Sequence, residues 1–340
     1  MLQRDVFVDQ LKGYACLLVL LGHVLLGLIS CGLSLPAFLP FSEQFIMSFH
    51  IDLFMFLAGY VYHLTGDAAS KGSRLRFIGN KLLNLGLPYF FFSAVYIAIN
   101  SLTPGVNTAS SLSDILQLWR QPVAQYWFLF SLFWLFVFWA LLSRFFNNIT
   151  ITAVLFTVFT VLKYLNIDLG FLDSSMHCVL AFGLGTCLRS LAVQKLPAAA
   201  RIAAILLHIL IVSALFLTNG YYIFLMDDVA TLLGIFASLC LISLIARCKP
   251  IAVFLQFVCK YSFPIYLLHT IFTSAIRICL LKVNATNYWL HLSAGILCGL
   301  AFPVLIAKLA AQTPYLNVFF YPSHALRQIR TKHSKKETAL

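Results

Sequence analysis

An all-α, polytopic membrane bundle of about ten transmembrane helices is the fold this sequence predicts, and three observations predict it. Of 340 residues, 61% are hydrophobic and only 10% are charged, against about a quarter charged in soluble domains. Apolar runs of roughly 18 residues or more, the length a helix needs to cross the hydrocarbon core, recur from end to end. Basic residues collect in alternate connections between those runs, as they do on the cytoplasmic face of membrane proteins. The formal net charge of +12 therefore reads as basic loops beside an anionic leaflet. Membrane lipid, not nucleic acid, is the expected partner.

In chain order the candidate spans centre on residues 14–35, 45–64, 82–103, 124–143, 149–165, 174–192, 202–219, 229–246, 261–281 and 288–310. The first is long enough to cross and carries His23 in its centre, so it reads as a true span and not as a cleaved signal peptide. The fifth and sixth are the weakest, because Lys163, Tyr164 and the acidic stretch from Asp168 to Asp173 interrupt them. With the N-terminus in the cytoplasm, only Arg120, Lys163, Arg277 and Lys282 of the 23 basic residues fall outside. Lys71, Arg74, Arg76 and Lys81 lie in the first return loop, and Arg327, Arg330, Lys332, Lys335 and Lys336 in the tail. The expectation is a multi-pass protein of the cell inner (plasma) membrane with both termini in the cytoplasm. A membrane domain over 1–322 is followed by a basic cytoplasmic tail over 323–340. Most of the nine cysteines sit inside apolar runs and read as packing residues. Cys31 and Cys279 fall near outer helix ends, where a bridge is the lesser expectation. No metal-ligand spacing stands out.

Ionisable residues within spans are costly unless paired or solvated, which makes each a candidate for function. Lys12 and His23 are 11 residues apart, which at about 100° per residue puts them on nearly one face, roughly 16 Å apart along the axis. Asp9 lies one turn before Lys12 and is placed to pair with it. The blander reading has Asp9 and Lys12 anchoring a helix end at the interface. His50 and Asp52 open the second span near its external end, facing a substrate or forming a local polar cap. In the ninth span Tyr266 and His269 share a face beyond Pro264, which is expected to loosen the helix. His208 and His291 stand alone in plain apolar runs and read as packing residues.

Several of these residues fall in short motifs. Asp9-Gln10-Leu11-Lys12-Gly13 leads to Leu21-Gly22-His23; Phe49-His50-Ile51-Asp52-Leu53-Phe54 leads to Ala58-Gly59-Tyr60. Leu87-Pro88-Tyr89-Phe90, Trp127-Phe128-Leu129 and Tyr261-Ser262-Phe263 with Ile265-Tyr266-Leu267-Leu268-His269 follow in order. Over essentially its whole length the sequence resembles the acyltransferase-3 family of integral membrane acyltransferases. It departs from the family pattern in having Lys12 where an arginine is frequent and Ala58 where serine is. The lysine removes any bidentate contact an arginine would make. The resemblance implies transfer of an acyl group, usually acetyl from acetyl-CoA, to a hydroxyl of a cell-surface carbohydrate such as an O-antigen or capsule. It also implies the stand-alone type, without a soluble esterase-like domain after the last span.

Ester formation from a thioester needs a base for the hydroxyl proton, donors for the developing oxyanion and a site that excludes water. His23 is the expected base, with Lys12 and Asp9 completing the catalytic set; direct transfer and an acyl-histidine relay both stay open. The polyanionic head of acetyl-CoA, the acyl donor, is expected on the cytoplasmic side at Arg74, Arg76 and Lys81. The acceptor, a surface glycan or a lipid-linked sugar, is expected near His50, Asp52, Tyr126, Trp127, Tyr266 and His269, where aromatic rings can stack on sugar faces. No metal is expected. The competing class is a proton-coupled secondary transporter, with His23, Asp52 and His269 as a proton or substrate path.

Overall fold

The structure, a computed structural model, describes residues 5–71, 73–103, 111–218 and 226–337. Among the described residues every regular element is helical. In order they are α1 (Val6–Ile29), α2 (Phe38–Met47), α3 (His50–Lys71), α4 (Arg74–Lys81), α5 (Leu87–Leu102), α6 (Trp127–Leu142), α7 (Asn148–Tyr164) and α8 (Asp173–His177). These are followed by α9 (Val179–Cys187), α10 (Ala198–Thr218), α11 (Met226–Ile245), α12 (Lys249–Lys260), α13 (Ser262–Lys282), α14 (Tyr288–Ala310), α15 (Pro314–Asn317) and α16 (Pro322–Glu337).

Eight helices or continuous helical stretches among the described residues are long and apolar enough to cross a membrane: 6–29, 38–65, 74–102, 124–142, 198–218, 226–245, 262–282 and 288–310. They coincide with eight of the ten expected spans. The fifth expected span is α7, a 17-residue helix. The sixth is broken: α8 ends at His177, α9 starts at Val179 and stops at Cys187, and the chain past it is extended at Leu188. Nine residues rise only about 14 Å, less than half a bilayer core. The sequence reading also passed over α12, whose 12 residues rise about 18 Å. Its Leu255 and Val258 face the bundle while Val253, Phe254 and Phe257 stay exposed, the pattern of a helix lying along the membrane surface. Residues 338–340 of the expected tail lie outside the described residues.

Local chemistry explains several boundaries. Asp5 caps α1, accepting from the Phe7 and Val8 amides at 2.9 and 3.3 Å, two of the donors a helix start leaves unmatched. Between α4 and α5 the helix widens into a π turn over Leu82–Gly86, directly before Pro88. Proline lacks an N–H and its ring presses on the carbonyl four residues back, and the wider turn relieves both. Pro264 sits in the first turn of α13, where its missing N–H has no helical partner to lose. It starts the helix and does not loosen it, contrary to the sequence expectation.

Helix α1 is the hub, packing against α2, α3, α11, α12, α13 and α14. The outlying α10 leaves Leu206, Leu210 and Leu217 exposed, a lipid-facing surface. Helices α3 and α9 approach closely, and glycine makes this possible: a methyl at Gly59 would meet the Phe182 carbonyl, and one at Gly185 the Phe56 carbonyl. Such small-residue contacts let backbones pack where lipid offers no hydrophobic drive. None of the nine cysteines is joined in a disulfide, Cys31 and Cys279 included.

Candidate active site

Two cavities penetrate the bundle from opposite halves of the same helices. The first, about 360 Å³, is lined by His23, Gln125, Trp127, Thr270 and Arg277 among others. The second, about 320 Å³, has Lys12 and Lys81 in its wall with Phe54, Phe128, Phe136 and Tyr266. We call them the histidine and lysine cavities. On α1 the lysine cavity takes residues 12 to 19 and the histidine cavity 23 to 30; on α13 the division falls between Tyr266 and Thr270. The helices α1 and α13 thus run parallel, as an odd number of crossings between them requires. On α6 the order is reversed, with Trp127 in the histidine cavity and Phe136 in the lysine cavity. The wall between is about one helical turn thick, roughly 6 Å along α13.

His269 lies in that wall. It is fully buried, and its Nδ1 lies 2.9 Å from the carbonyls of both Ile265 and Tyr266. Only a protonated Nδ1 can bond to carbonyls, so Nε2 carries the lone pair. That Nε2 is enclosed and has no hydrogen-bond partner. The His23 ring, at the floor of the histidine cavity, stands 5.0 Å from the His269 ring between centroids. Two imidazoles, one reaching the cavity and one with its tautomer fixed by the backbone, therefore sit side by side.

The turn entering α6 is tied to α13 by two reciprocal bonds. The Tyr126 hydroxyl donates to the Leu267 carbonyl at 2.7 Å, and the Tyr266 hydroxyl to the Gln125 carbonyl at 2.6 Å. Between them Ala124 holds a left-handed φ of 45°, a strain of about 1–2 kcal/mol for a residue with a Cβ. These ties hold it. Their result is that Gln125 and Trp127 face the histidine cavity. Gln125 is 4% exposed, and its amide lies near the Tyr126 hydroxyl but makes no hydrogen bond of ordinary length; the Thr270 hydroxyl is likewise unmatched. Buried polar groups left so are donors and acceptors waiting for a ligand or water.

The expected site residues divide accordingly. His23, Trp127, Lys12, Lys81 and Tyr266 line the cavities, and His269 joins the pair between them. Tyr126, expected beside a sugar, is fully enclosed and its hydroxyl is committed to Leu267, which places it behind the cavity wall. His50 is 3% exposed and its Nδ1–H caps the Ile46 carbonyl at 2.9 Å; it lies within electrostatic reach of His23 and His269 but in neither cavity wall. Asp52 also lines neither; it lies near Asp227 and Asp228, and its Oδ1 is enclosed without a partner. The Asp9 carboxylate accepts from the Cys259 thiol of α12 at 3.6 Å, outside both walls. Lys81 sits over the Phe136 ring at 3.6 Å and within electrostatic range of Lys12, so one cavity carries two cations. Arg74 is half-buried beside it and Arg76 is exposed; neither lines the cavity. Sequence reading missed Gln125, Thr270 and Arg277. A signal existed for two of them, because Thr270, Thr273, Ser274 and Arg277 recur at i, i+3, i+4 and i+7, a polar stripe down one face of an apolar span.

The family model described as an acyltransferase domain matches residues 5–308, most of the chain. The chain belongs to this acyltransferase family. Among individual proteins it is similar to the nodulation protein NolL of Mesorhizobium japonicum, 30% identical over 152 residues, which are 44% of this chain and 39% of that protein. NolL of Sinorhizobium fredii is 30% identical over 128 residues, 38% of this chain and 34% of that protein. The matched stretch thus spans less than half the length of either relative. No solved structure matches.

Proposed function

We propose that the protein is a membrane O-acyltransferase that moves an acetyl group from acetyl-CoA on the cytoplasmic side to a hydroxyl of a cell-surface or lipid-linked carbohydrate on the other. One observation carries this reading: the paired imidazoles of His23 and His269 stand where two cavities of opposite character meet. The apolar lysine cavity suits the acyl-pantetheine arm, with Lys12 and Lys81 drawing in anionic phosphates. The histidine cavity, lined by an amide, a hydroxyl and Trp127, suits a sugar.

In this scheme the sugar hydroxyl reaches His23, which takes its proton as the oxygen attacks the thioester carbonyl. The carbon–oxygen bond forms, the carbon–sulfur bond breaks, and the proton passes from the imidazolium to the departing thiolate. No other reactant is needed. His269, with Nδ1–H committed to the backbone, offers its Nε2 lone pair to the neighbouring ring and stabilises the charged form. The Thr270 hydroxyl is an available donor to the oxyanion. The test is thioester turnover: protein purified in detergent should release free CoA from acetyl-CoA only when a glycan acceptor is added. Release without acceptor, or none with any surface glycan, would count against the reading.

A further inference from the structure

The histidine cavity holds a cation that the acyl-transfer scheme does not use. Arg277, in the fifth turn of α13, is 9% exposed and lines the cavity. Its guanidinium lies directly on Gly27 of α1, where a methyl in place of the glycine hydrogen would collide with it; the glycine is what lets the side chain fold inward. No hydrogen bond or ion pair joins Arg277 to a described residue, and no carboxylate lines the cavity. Its electrostatic neighbours are Cys31 and Tyr96. An arginine buried near the end of an apolar span without a counter-charge is expensive. The second observation is Gln125, buried in the same wall, whose amide oxygen and nitrogen make no hydrogen bond of ordinary length. Together they present a fork of N–H donors and an amide to one cavity.

From this we infer that the carbohydrate acceptor bears an oxyanion, a carboxylate or a phosphate, which Arg277 binds in bidentate fashion while Gln125 holds neighbouring hydroxyls. Guanidinium geometry matches such groups in a way that a lysine does not. The spacing fixes where the charge sits. Gly27 is one turn beyond His23 on α1, about 6 Å along the axis, so the anion belongs to the sugar being acylated or to the one attached to it. A charge several sugars away would miss the arginine. The inference rests on the acyl-transfer reading for the word acceptor, but the anion site itself stands on its own geometry.

The test uses the full chain in a neutral detergent and three monosaccharide probes, methyl β-glucoside, methyl β-glucuronide with its charge at C6 and glucose 1-phosphate with its charge at C1, with binding read by calorimetry. The wild type should bind an anionic probe at least about tenfold more tightly than the neutral one, since losing a desolvated charge pair is worth that much or more. Arg277→Gln should abolish the difference while leaving binding of the neutral glucoside unchanged, and Arg277→Lys should restore part of it. Preference for the glucuronide would assign a uronate and preference for the phosphate a phosphorylated sugar. Equal affinity for all three probes, or an anion preference that survives in Arg277→Gln, would overturn the inference. Arg120→Gln, an exposed cation outside the cavity, controls for surface charge and should change nothing. If anionic probes bind through Arg277 yet no acceptor is ever acylated, the enzyme reading fails and the anion site remains.

Discussion

The histidine and lysine cavities are cut from the same helices, α1, α6 and α13, yet they differ in nearly every physical respect. One is lined by an imidazole, an amide, hydroxyls and a guanidinium. The other is a sleeve of phenylalanine rings with ammonium groups from Lys12 and Lys81. Position along a helix sets the difference: four residues on α13, from Tyr266 to Thr270, separate the two environments. The lesson is that a single bundle can hold an apolar cavity with two cations and a polar cavity end to end, separated by about one turn of helix. In the proposed reaction, side chains of that wall must move aside for the hydroxyl oxygen to reach the thioester carbon, and the closed wall keeps bulk water out.

The comparison breaks most sharply at the wall. His23→Ala should lower kcat by roughly 10²-fold or more, the scale of lost general-base catalysis, while acetyl-CoA still binds in the untouched lysine cavity. Turnover and equilibrium donor binding, measured on the same preparation, check both halves. Near-normal acylation by a well-folded His23→Ala protein would remove the imidazole from the mechanism.

The next effect lies in the lysine cavity. Lys81→Ala should raise the apparent KM for acetyl-CoA about tenfold with kcat and acceptor KM little changed, the pattern of an interaction made equally in ground and transition states. Lys12→Ala should behave alike. Arg76→Ala should have little effect, because its side chain is exposed and lines neither cavity. Steady-state kinetics with either substrate varied separates these outcomes, and a larger effect from Arg76 than from Lys81 would move the donor site out of the cavity.

How much of this could be read from the sequence depends on whether a feature is local. Eight long spans were legible because about 18 apolar residues in a row leave no other stable solution in lipid. The Lys12 and His23 face was legible because helical period is fixed, and both residues do line cavities on one side of α1. The break at Cys178 was hidden, since no proline or glycine stands at residues 173–178 to mark it, although α8 and α9 are separate helices. The partnership of His23 with His269 joins residues 246 positions apart, a distance no periodicity reports. Tyr126 and Trp127 looked alike as neighbouring aromatics, and only the turn at Ala124 decides that one faces the cavity and the other is tied behind it.

The smallest expected effect sharpens that last point. Tyr126→Phe and Tyr266→Phe each remove a hydroxyl bonded to a carbonyl and should lower stability by about 1–3 kcal/mol, because the carbonyl is left unmatched in a buried site. Thermal unfolding in detergent would read it. Loss of activity at unchanged stability would instead give one of these hydroxyls a direct part in the chemistry.

The central claim, that donor and acceptor approach from opposite sides and meet at the His23–His269 wall, is tested most directly with the protein sealed in vesicles. Labelled acetyl-CoA is supplied only at the face carrying the lysine cavity, and a surface-glycan preparation is enclosed only at the other. The account requires label to appear as ester on the enclosed glycan, and not when His23→Ala replaces the wild type. Label transfer that occurs only when donor and glycan share one face would contradict it.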